Sequence, residues 1–158
     1  MNIAHEVAMA LRTAYWALHR RADAYLQPLG VTANQFVLLS LLAEEDGITQ
    51  RELVERASSD ANTVGAMLVA LEEKGLVTRG RHPEDGRARR VKLTRTGREA
   101  YKRLWVKSEP FRERLREVLH PGEADALLGL LGRLTSALDP RERATALQKE
   151  SPISGGSP

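Results

Sequence analysis

The basic residues between positions 79 and 94 are the side chains of this sequence best suited to binding a charged partner. The stretch reads RGRHPEDGRARRVKLT and holds seven basic side chains, His82 included, around a Pro-Glu-Asp-Gly turn. Like charges at this density repel one another, and a polyanion such as nucleic acid relieves the repulsion through its phosphates. The same run also suits a solvated surface that keeps a protein soluble. We favour the nucleic-acid interpretation.

The distribution of charge supports this interpretation more strongly than the net charge does. The 158-residue chain has a formal net charge of only +3. Between Val31 and Thr78 there are three basic and eight acidic residues, a net charge of −5. Between Arg79 and Arg98 there are eight basic and two acidic residues, a net charge of +6. Positive charge is therefore concentrated on one short segment.

The sequence offers little for catalysis, metal binding or membrane insertion. Cysteine is absent, which excludes disulfides and thiolate ligands, and the four histidines form neither HxxxH nor HExxH pairs. No glycine-rich phosphate loop or nucleophile elbow occurs. No apolar run approaches the roughly 18 residues of a membrane span, and the polar start does not resemble a signal peptide. We expect no enzyme activity, no metal, no cofactor, no membrane association and a cytoplasmic location.

The elements before the basic segment are predicted to be helices. An amphipathic helix is predicted over residues 5–27, ending at a Pro and Gly stop in QPLG. Thr32 and Thr49 each lie three residues before a Gln or Glu, the spacing of a capping box, in which two otherwise unpaired N–H groups are satisfied reciprocally. We therefore predict a helix after each threonine, one to about residue 43 and one to about residue 57.

A fourth helix is predicted to begin after Ser59 or Asp60, either of which can cap it, and to end at Lys74, because Gly75 suits a left-handed terminating position. Leu76 is expected to fold back onto Leu71. Helical spacing predicts that its buried face carries Val64, Met67, Leu68 and Leu71. The same spacing predicts an outward face of Asn62, Ala66, Val69 and Glu73, with Thr63 and Ala70 at its edge.

Two short β-branched runs, LVTRGR and RRVKLT, flank the turn at Pro83–Gly86 and predict a β-hairpin. After Thr94 a long helix is predicted, opened by a capping box at Thr96 and kinked by Pro110. Pro121 is predicted at the first position of a last helix, which ends near Leu138. The remaining residues, 139–158, lose apolar content and are expected to form a disordered tail.

The order of helix, turn, helix and arginine-rich hairpin is the layout of a winged helix-turn-helix. Such a module lays its second helix in the DNA major groove while the hairpin reaches phosphates or the minor groove. The predicted fold class is therefore mostly α with a small β-hairpin wing (α+β), a winged helix-turn-helix with further helices on either side.

The motifs LEEKGLVTR and DGRARRVKLTRTG, within residues 31–100, resemble the MarR family of bacterial and archaeal transcriptional regulators. The resemblance implies one domain over residues 1–138, with the winged helix at 31–97 and dimerisation helices at 3–28 and 95–138. It also implies a homodimer whose first and last helices interlock. The two winged helices of that dimer would read a pseudo-palindromic operator in double-stranded DNA.

The resemblance also implies roles in the wing. The arginine matching the family pattern at Arg87 would enter the minor groove, and Asp85 would orient it and brace the wing. Asp before Gly is also ordinary turn chemistry, and the two interpretations of Asp85 are compatible. Arg89 and Arg90 would add contacts to the DNA backbone.

The recognition helix departs from the family pattern, because Ala61, Ala66 and Ala70 stand where members often carry long polar side chains. We expect base reading from Asn62 and Thr63, with Ala66 close to thymine methyl groups. Phosphate contacts are expected at the starts of helices, from Thr49, Ser58 and Ser59.

Many MarR-family members are released from DNA by small aromatic or phenolic anions that bind between the dimerisation helices and the winged domain. The residues that would serve here are Arg12, Tyr15, Trp16, His19 and Trp105. Aromatic side chains at helical spacing usually belong to a core or an interface, so we favour packing for these residues and keep the ligand-binding interpretation beside it.

Two functional hypotheses follow. The first is a sequence-specific DNA-binding transcriptional regulator, a homodimeric repressor released by a small aromatic or phenolic ligand. The second is a winged-helix protein-interaction module without specific DNA reading, which the alanine-rich outer helix face would allow. The basic wing favours the first.

Overall fold

The computed structural model describes residues 2–81, 84, 86 and 89–139, and within them the chain forms helices and one hairpin. The helices are α1 (Ile3–Leu26), α2 (Ala33–Glu44), α3 (Gln50–Arg56), α4 (Ala61–Glu73), α5 (Arg95–Lys107), α6 (Glu109–Val118) and α7 (Glu123–Leu138), and the strands are β1 (Val77–Arg81) and β2 (Arg89–Leu93). A short 3₁₀ turn, Gln27–Leu29, follows α1. Of the tail predicted over residues 139–158, positions 140–158 lie outside the described residues.

The core of the winged helix lies between α2, α3, α4 and the hairpin, and α5 closes it. Its largest fully buried side chains are Leu38, Leu39, Leu42, Leu53, Leu68, Leu71, Val64, Val77 and Val91. Each such side chain contributes about 1.5–3 kcal/mol through burial. The inward face predicted for α4 is confirmed, with Val64, Leu68 and Leu71 buried and Met67 packed against the core.

Local capping signals set most helix starts as predicted. Thr32 and Thr49 both form capping boxes, with Gln35 and Glu52 respectively. Asp60 caps α4 by accepting a hydrogen bond from the Thr63 N–H. At the other end of α4, Gly75 has a φ of +68°, and the Leu76 N–H donates to the Leu71 carbonyl over 2.9 Å.

The hairpin is confirmed as an antiparallel pair, in register from Val77 opposite Leu93 to Arg81 opposite Arg89. On its other side, β2 pairs with the segment before α3. There the Val91 N–H donates to the Ile48 carbonyl over 2.9 Å, and Thr49 forms a bridge with Arg90. The wing is thereby fixed to the start of α3 as well as to the end of α4.

Three details after the hairpin differ from the predictions. Thr94, not Thr96, caps α5, because its Oγ1 accepts from the Gly97 N–H over 2.8 Å. The predicted kinked helix is instead two helices that break at Ser108, and Pro110 sits in the first turn of α6, where no backbone donor is required. Pro121 precedes α7, which begins after Gly122, a residue with a φ of +85°.

Gly97 lies directly against the backbone of Leu76. A Cβ at this position would lie 1.9 Å from the Leu76 carbonyl oxygen, which is far inside van der Waals contact. The absence of a side chain therefore lets the start of α5 pack directly on the start of the wing.

The chain divides into two compact units, one ending at Glu113 and one beginning at Arg114. The first contains α1 to α5, the hairpin and the start of α6, and the second contains the rest of α6 and α7. Among the described residues, no single helix is long and apolar enough to cross a membrane. The helix α1 with its 3₁₀ turn and the helix α2 reach the length and apolar composition of a membrane span only when taken together, and the chain bends by 81° between them. The sequence-based domain limits remain a prediction.

Candidate nucleic-acid interface

The outer face of α4 is exposed as predicted and is composed mainly of small or short side chains. Asn62, Ala66, Val69 and Glu73 are all exposed, with Val69 at 42% of its full accessibility. The first part of such a helix can approach the floor of a major groove closely, because its outward side chains up to Val69 are short. Asn62 lies in the first turn, where recognition helices contact base edges.

The start of α4 holds the negative charge of Asp60, a residue predicted from the sequence only as a helix cap. Asp60 Oδ1 accepts from the Thr63 N–H over 2.9 Å, and Oδ2 accepts from the Thr63 hydroxyl over 2.6 Å. These hydrogen bonds lower the pKa of Asp60, so its carboxylate is ionised at neutral pH. The carboxylate charge would repel a DNA phosphate at this end of the helix. Its hydrogen bond with the Thr63 hydroxyl holds that side chain in place.

The other residues predicted to contact phosphates lie at the two turns before α3 and α4. Ser58 is exposed and has a φ of +49°, whereas Ser59 is half-buried and its N–H donates to the Val54 carbonyl over 3.2 Å. The Thr49 hydroxyl donates to Glu52 Oε2 over 2.7 Å. That hydrogen bond is the main reason for the lowered pKa of Glu52. Thr49 therefore acts first as a structural cap.

The basic side chains of the wing fall into distinct groups. Arg81 and Arg89 are cross-strand partners and both are exposed, so they place two positive charges side by side near the end of the hairpin. Arg90 is half-buried and lies against the α2–α3 turn, with Nη1 3.9 Å from where a Cβ on Gly47 would be. Asp85 and Arg87 lie outside the described residues, and their roles stay predictions.

Arg79 does not belong to the exposed basic group. Its Nη2 and Nε lie 2.7 and 3.0 Å from Glu72 Oε2, and its backbone N–H donates to Glu72 Oε1 over 3.2 Å. The Arg79 side chain is only 17% exposed. The hydrogen bond from its side chain is the main cause of the lowered pKa of Glu72. Its role is to connect the first wing strand to the last turn of α4.

Asp46 makes a second connection, which the sequence analysis missed. Its Oδ1 accepts from the Leu93 N–H over 3.0 Å, and its Oδ2 accepts from Arg98 Nη2 over 2.6 Å. Partial burial favours the neutral acid, but the Arg98 and Leu93 hydrogen bonds and the charge of Lys92 outweigh it and lower the pKa of Asp46. The carboxylate thus joins the α2–α3 turn to β2 and to α5.

Three of the predicted effector residues lie together on α1. The Tyr15, Trp16 and His19 rings have centroid separations of 5.6 to 5.8 Å. His19 Nε2 lies 3.4 Å from Asp23 Oδ2, and Arg12 is exposed on the same helix.

Trp105 belongs to a different group of side chains. Its ring lies 6.1 Å from that of Tyr101, and the Arg112 guanidinium stacks 3.8 Å from its centroid. The described contacts therefore give Trp105 a packing partner on its own helix and one at the start of α6. They do not join it to the α1 rings.

In the part of the chain that the structure describes, no group of three His, Asp or Glu side chains is placed to hold a metal ion. The exposed face of α4 and the paired arginines of the hairpin are mounted on one core, which is the arrangement of a winged helix-turn-helix reading head.

Comparison with known proteins identifies the family. The model of the MarR family matches residues 31–88. The chain is 32% identical over 110 residues to the uncharacterized HTH-type transcriptional regulator YdgJ of Bacillus subtilis, an alignment that covers 70% of this chain and 67% of YdgJ. The chain belongs to the MarR family. The winged-helix family predicted from the sequence is thus confirmed, and this is a family of transcriptional regulators, not of enzymes.

Solved structures of MarR-family members share the fold. The repressor CouR, bound to a 23-mer DNA duplex, superposes with a TM-score of 0.76 at 30% identity over 84% of this chain and 94% of CouR. A point mutant of MarR from E. coli, complexed with operator DNA, gives a TM-score of 0.75 at 28% identity over 85% of this chain and 99% of MarR.

Proposed function

We propose that this MarR-family protein is a sequence-specific double-stranded-DNA-binding regulator that acts as a homodimeric repressor in the cytoplasm. The observation that carries the proposal is the pairing of an exposed, small-residue face on α4 with the exposed Arg81 and Arg89 on one rigid core. Both CouR and MarR, which share this fold, were solved on DNA.

In the proposed complex, α4 lies in a major groove with Asn62 and Thr63 at the base edges. Arg89 lies near the DNA backbone, and Arg87 reaches the adjoining minor groove, as its sequence position predicts. Two reading heads of a symmetric dimer require half-sites about 10 base pairs apart, one turn of the double helix. The phosphate contacts make binding steeply salt-dependent.

The proposed dimer would cover apolar surface that each unit exposes. Helix α1 exposes Val7, Leu11, Tyr15 and Leu18 at 37% or more of full accessibility. In the second unit, α7 exposes Leu127, Leu128 and Leu130 at 42% or more. On α1 these apolar residues repeat along one helix face, a pattern typical of helices that pack against a partner, and exposed leucines on α7 add apolar surface.

We further propose that a small aromatic or phenolic anion releases the protein from DNA. The clustered rings of Tyr15, Trp16 and His19, with Arg12 one turn earlier on α1, provide aromatic surface and positive charge for such a ligand. A ligand there would favour a dimer whose reading heads no longer match the half-site spacing.

The proposal is tested by measuring binding of the purified protein to the DNA upstream of its own gene and to a scrambled duplex, across a salt series. Saturable preference for the native duplex, weakened by Arg87→Ala, supports the regulator. Lys102→Ala is the matched control, because it removes one exposed positive charge from α5, outside the reading head.

The alternative, a winged-helix interaction module, predicts a different result. Such a module would bind both duplexes equally or not at all at low salt, and its affinity for a protein partner would not depend on Arg87. That outcome would overturn specific recognition of the tested site.

A further inference from the structure

The hydroxyl of Thr63, at the start of α4, has its hydrogen already engaged. Its oxygen lies 2.6 Å from Asp60 Oδ2, and Asp60 Oδ1 accepts from the Thr63 N–H over 2.9 Å. These hydrogen bonds lower the pKa of Asp60, so at neutral pH both of its oxygens can only accept. The Thr63 hydroxyl must therefore be the donor in its contact with Asp60.

This contact leaves the two residues with acceptors alone. A threonine hydroxyl has one hydrogen and two lone pairs. With the hydrogen directed at Asp60, the Thr63 oxygen offers only its lone pairs to a further partner. Asp60 and Thr63 are both exposed, so a donor from another molecule can reach that oxygen.

Few groups on DNA can serve as that donor. Phosphate oxygens have no hydrogen to donate, and the Asp60 charge repels them. In the major groove the donors are the N6 amino group of adenine and the N4 amino group of cytosine, whereas guanine O6 and thymine O4 are acceptors. The neighbouring Asn62 makes no such distinction, because its amide carries both donors and an acceptor.

We propose that Asp60 determines the class of base that Thr63 reads, by holding its hydroxyl as an acceptor for the amino group of adenine or cytosine. The inference rests on the proposed DNA-binding function, with α4 in a major groove, and adds the polarity of one contact to it. Thr63 touches the base, and Asp60 is a positioning residue that acts through Thr63. At one position of each half-site, the protein therefore selects adenine or cytosine against guanine or thymine.

Asparagine at position 60 would reverse this polarity. Asparagine caps a helix about as well as aspartate, with its Oδ1 accepting from the Thr63 N–H. Its amide nitrogen then stands in the place of Asp60 Oδ2 and donates to the Thr63 oxygen, so the hydroxyl hydrogen turns toward the DNA. Asp60→Asn should thus exchange adenine or cytosine for guanine or thymine at that position. A role in capping alone predicts no such exchange.

The test is selection of duplexes from a random-sequence pool by the full chain, with the bound DNA sequenced. We expect the wild type to favour adenine or cytosine about fivefold at one position of each half-site, the effect of one hydrogen bond. Thr63→Val, which keeps the shape of the side chain and lacks the hydroxyl, should remove that preference. Asp60→Asn should favour guanine or thymine there by a similar factor, and circular dichroism checks that both variants keep the wild-type helix content.

Glu73→Gln is the matched control, because it removes one negative charge from an exposed position near the other end of α4. Like Asp60→Asn, it should tighten binding to every duplex through reduced repulsion of the phosphates. It should leave the base preference at the position read by Thr63 unchanged. The same exchange of bases in Glu73→Gln would make the exchange an effect of charge and overturn the role of Asp60.

A second measurement tests the amino group directly. Purine in place of the selected adenine, or 2-pyrimidinone in place of the selected cytosine, lacks the exocyclic amino group. The wild type should bind the substituted duplex about fivefold more weakly, and Thr63→Val should show a much smaller difference between the two duplexes. Equal losses in the wild type and in Thr63→Val would show that Thr63 does not contact the amino group.

The inference and the function on which it rests fail in different ways. If the wild type selects no motif, specific DNA recognition is overturned, and the inference with it. If the wild type selects a motif that Thr63→Val and Asp60→Asn leave unchanged, specific recognition stands and the polarity of Thr63 alone is wrong. A wild-type preference for guanine or thymine at the position that depends on Thr63 would overturn the polarity as well.

Discussion

Arg79 holds the first strand of the wing to the last turn of α4, with its Nη2 2.7 Å from Glu72 Oε2. The bond spans the tight turn at Gly75, where the chain reverses from α4 into β1. The pair therefore helps to set the angle between α4 and the hairpin. That angle matters for DNA binding, because α4 and the hairpin are expected to occupy adjoining grooves.

The first prediction concerns this pair. Glu72→Gln removes a negative charge close to the proposed DNA surface, so charge alone predicts tighter DNA binding. Loss of the anchor predicts the opposite, and we expect operator affinity to fall severalfold with helix content unchanged. Arg79→Gln and the double variant should show a similar fall, because the two residues act as a unit. Fluorescence anisotropy with a labelled operator measures the effect.

Arg95→Gln is the control, since it breaks an exposed ion pair with Glu99, and pairs of this kind contribute little. Operator affinity in Glu72→Gln equal to or above that of the wild type would show that the wing keeps its angle without the anchor.

The second prediction concerns Gly97. Alanine is the better helix former by about 1 kcal/mol, so propensity favours Gly97→Ala. The new methyl group would lie 1.9 Å from the Leu76 carbonyl oxygen, and the backbone must move. We expect a net destabilisation of about 1–3 kcal/mol, the usual cost of overpacking, measured by urea unfolding.

Gly65→Ala in α4 is the matched control. Its new Cβ would meet Gln50 Nε2 at 3.6 Å, an ordinary contact, so its stability should be unchanged or slightly higher. If both variants are equally stable, the approach of α5 to the wing is not tight in solution.

The fold could be predicted from the sequence wherever a helix end depends on residues within a few positions of it. Thr32, Thr49, Asp60 and Gly75 all act as their local patterns predicted. Thr94 was not predicted as the cap of α5, because contacts with residues distant in the sequence decide that Thr94 takes this position. Its N–H donates to the Leu76 carbonyl over 3.1 Å and its hydroxyl to the Gly75 carbonyl over 2.6 Å, contacts that Thr96 does not make.

The order of the helices and strands that form the candidate site was predicted from the sequence, but the ion pairs that join these elements to one another were not. The sequence shows a dense set of arginines, and nothing in their spacing separates exposed Arg89 from Arg79, which is paired with Glu72. The bond between Asp46 and Arg98 joins residues 52 positions apart, so no periodic pattern could indicate it. Such pairs follow from tertiary packing alone.

The third prediction concerns the acid stability that Asp46 confers. Because its pKa is lower in the folded than in the unfolded chain, its contribution is complete above the unfolded pKa of about 3.9 and is lost as pH falls through the folded value. Asp46→Asn should cost about 1–2 kcal/mol at pH 7, since hydrogen bonds to a partly exposed carboxylate are lost. The difference from the wild type should shrink in urea titrations below about pH 4.

Glu73→Gln, at an exposed position on α4, should leave the free energy of unfolding close to that of the wild type at both pH values. A deficit in Asp46→Asn that is equally large at pH 3 and pH 7 would mean that the carboxylate charge is not what joins the turn to the wing.

The last prediction separates base reading from phosphate attraction. Asn62 is exposed in the first turn of α4, whereas Arg89 is exposed on the wing. Asn62→Ala should reduce the preference for operator over scrambled DNA by about tenfold, the effect of one lost amide contact with a base, and should leave the salt dependence unchanged. Arg89→Ala should weaken binding to both duplexes alike and lower the slope of log K against log salt by about one.

The two variants therefore change different quantities in one salt series, Asn62→Ala the preference for the operator and Arg89→Ala the salt dependence of binding. An equal loss on both duplexes in Asn62→Ala would remove Asn62 from base reading, and an unchanged slope in Arg89→Ala would place that arginine away from the phosphates.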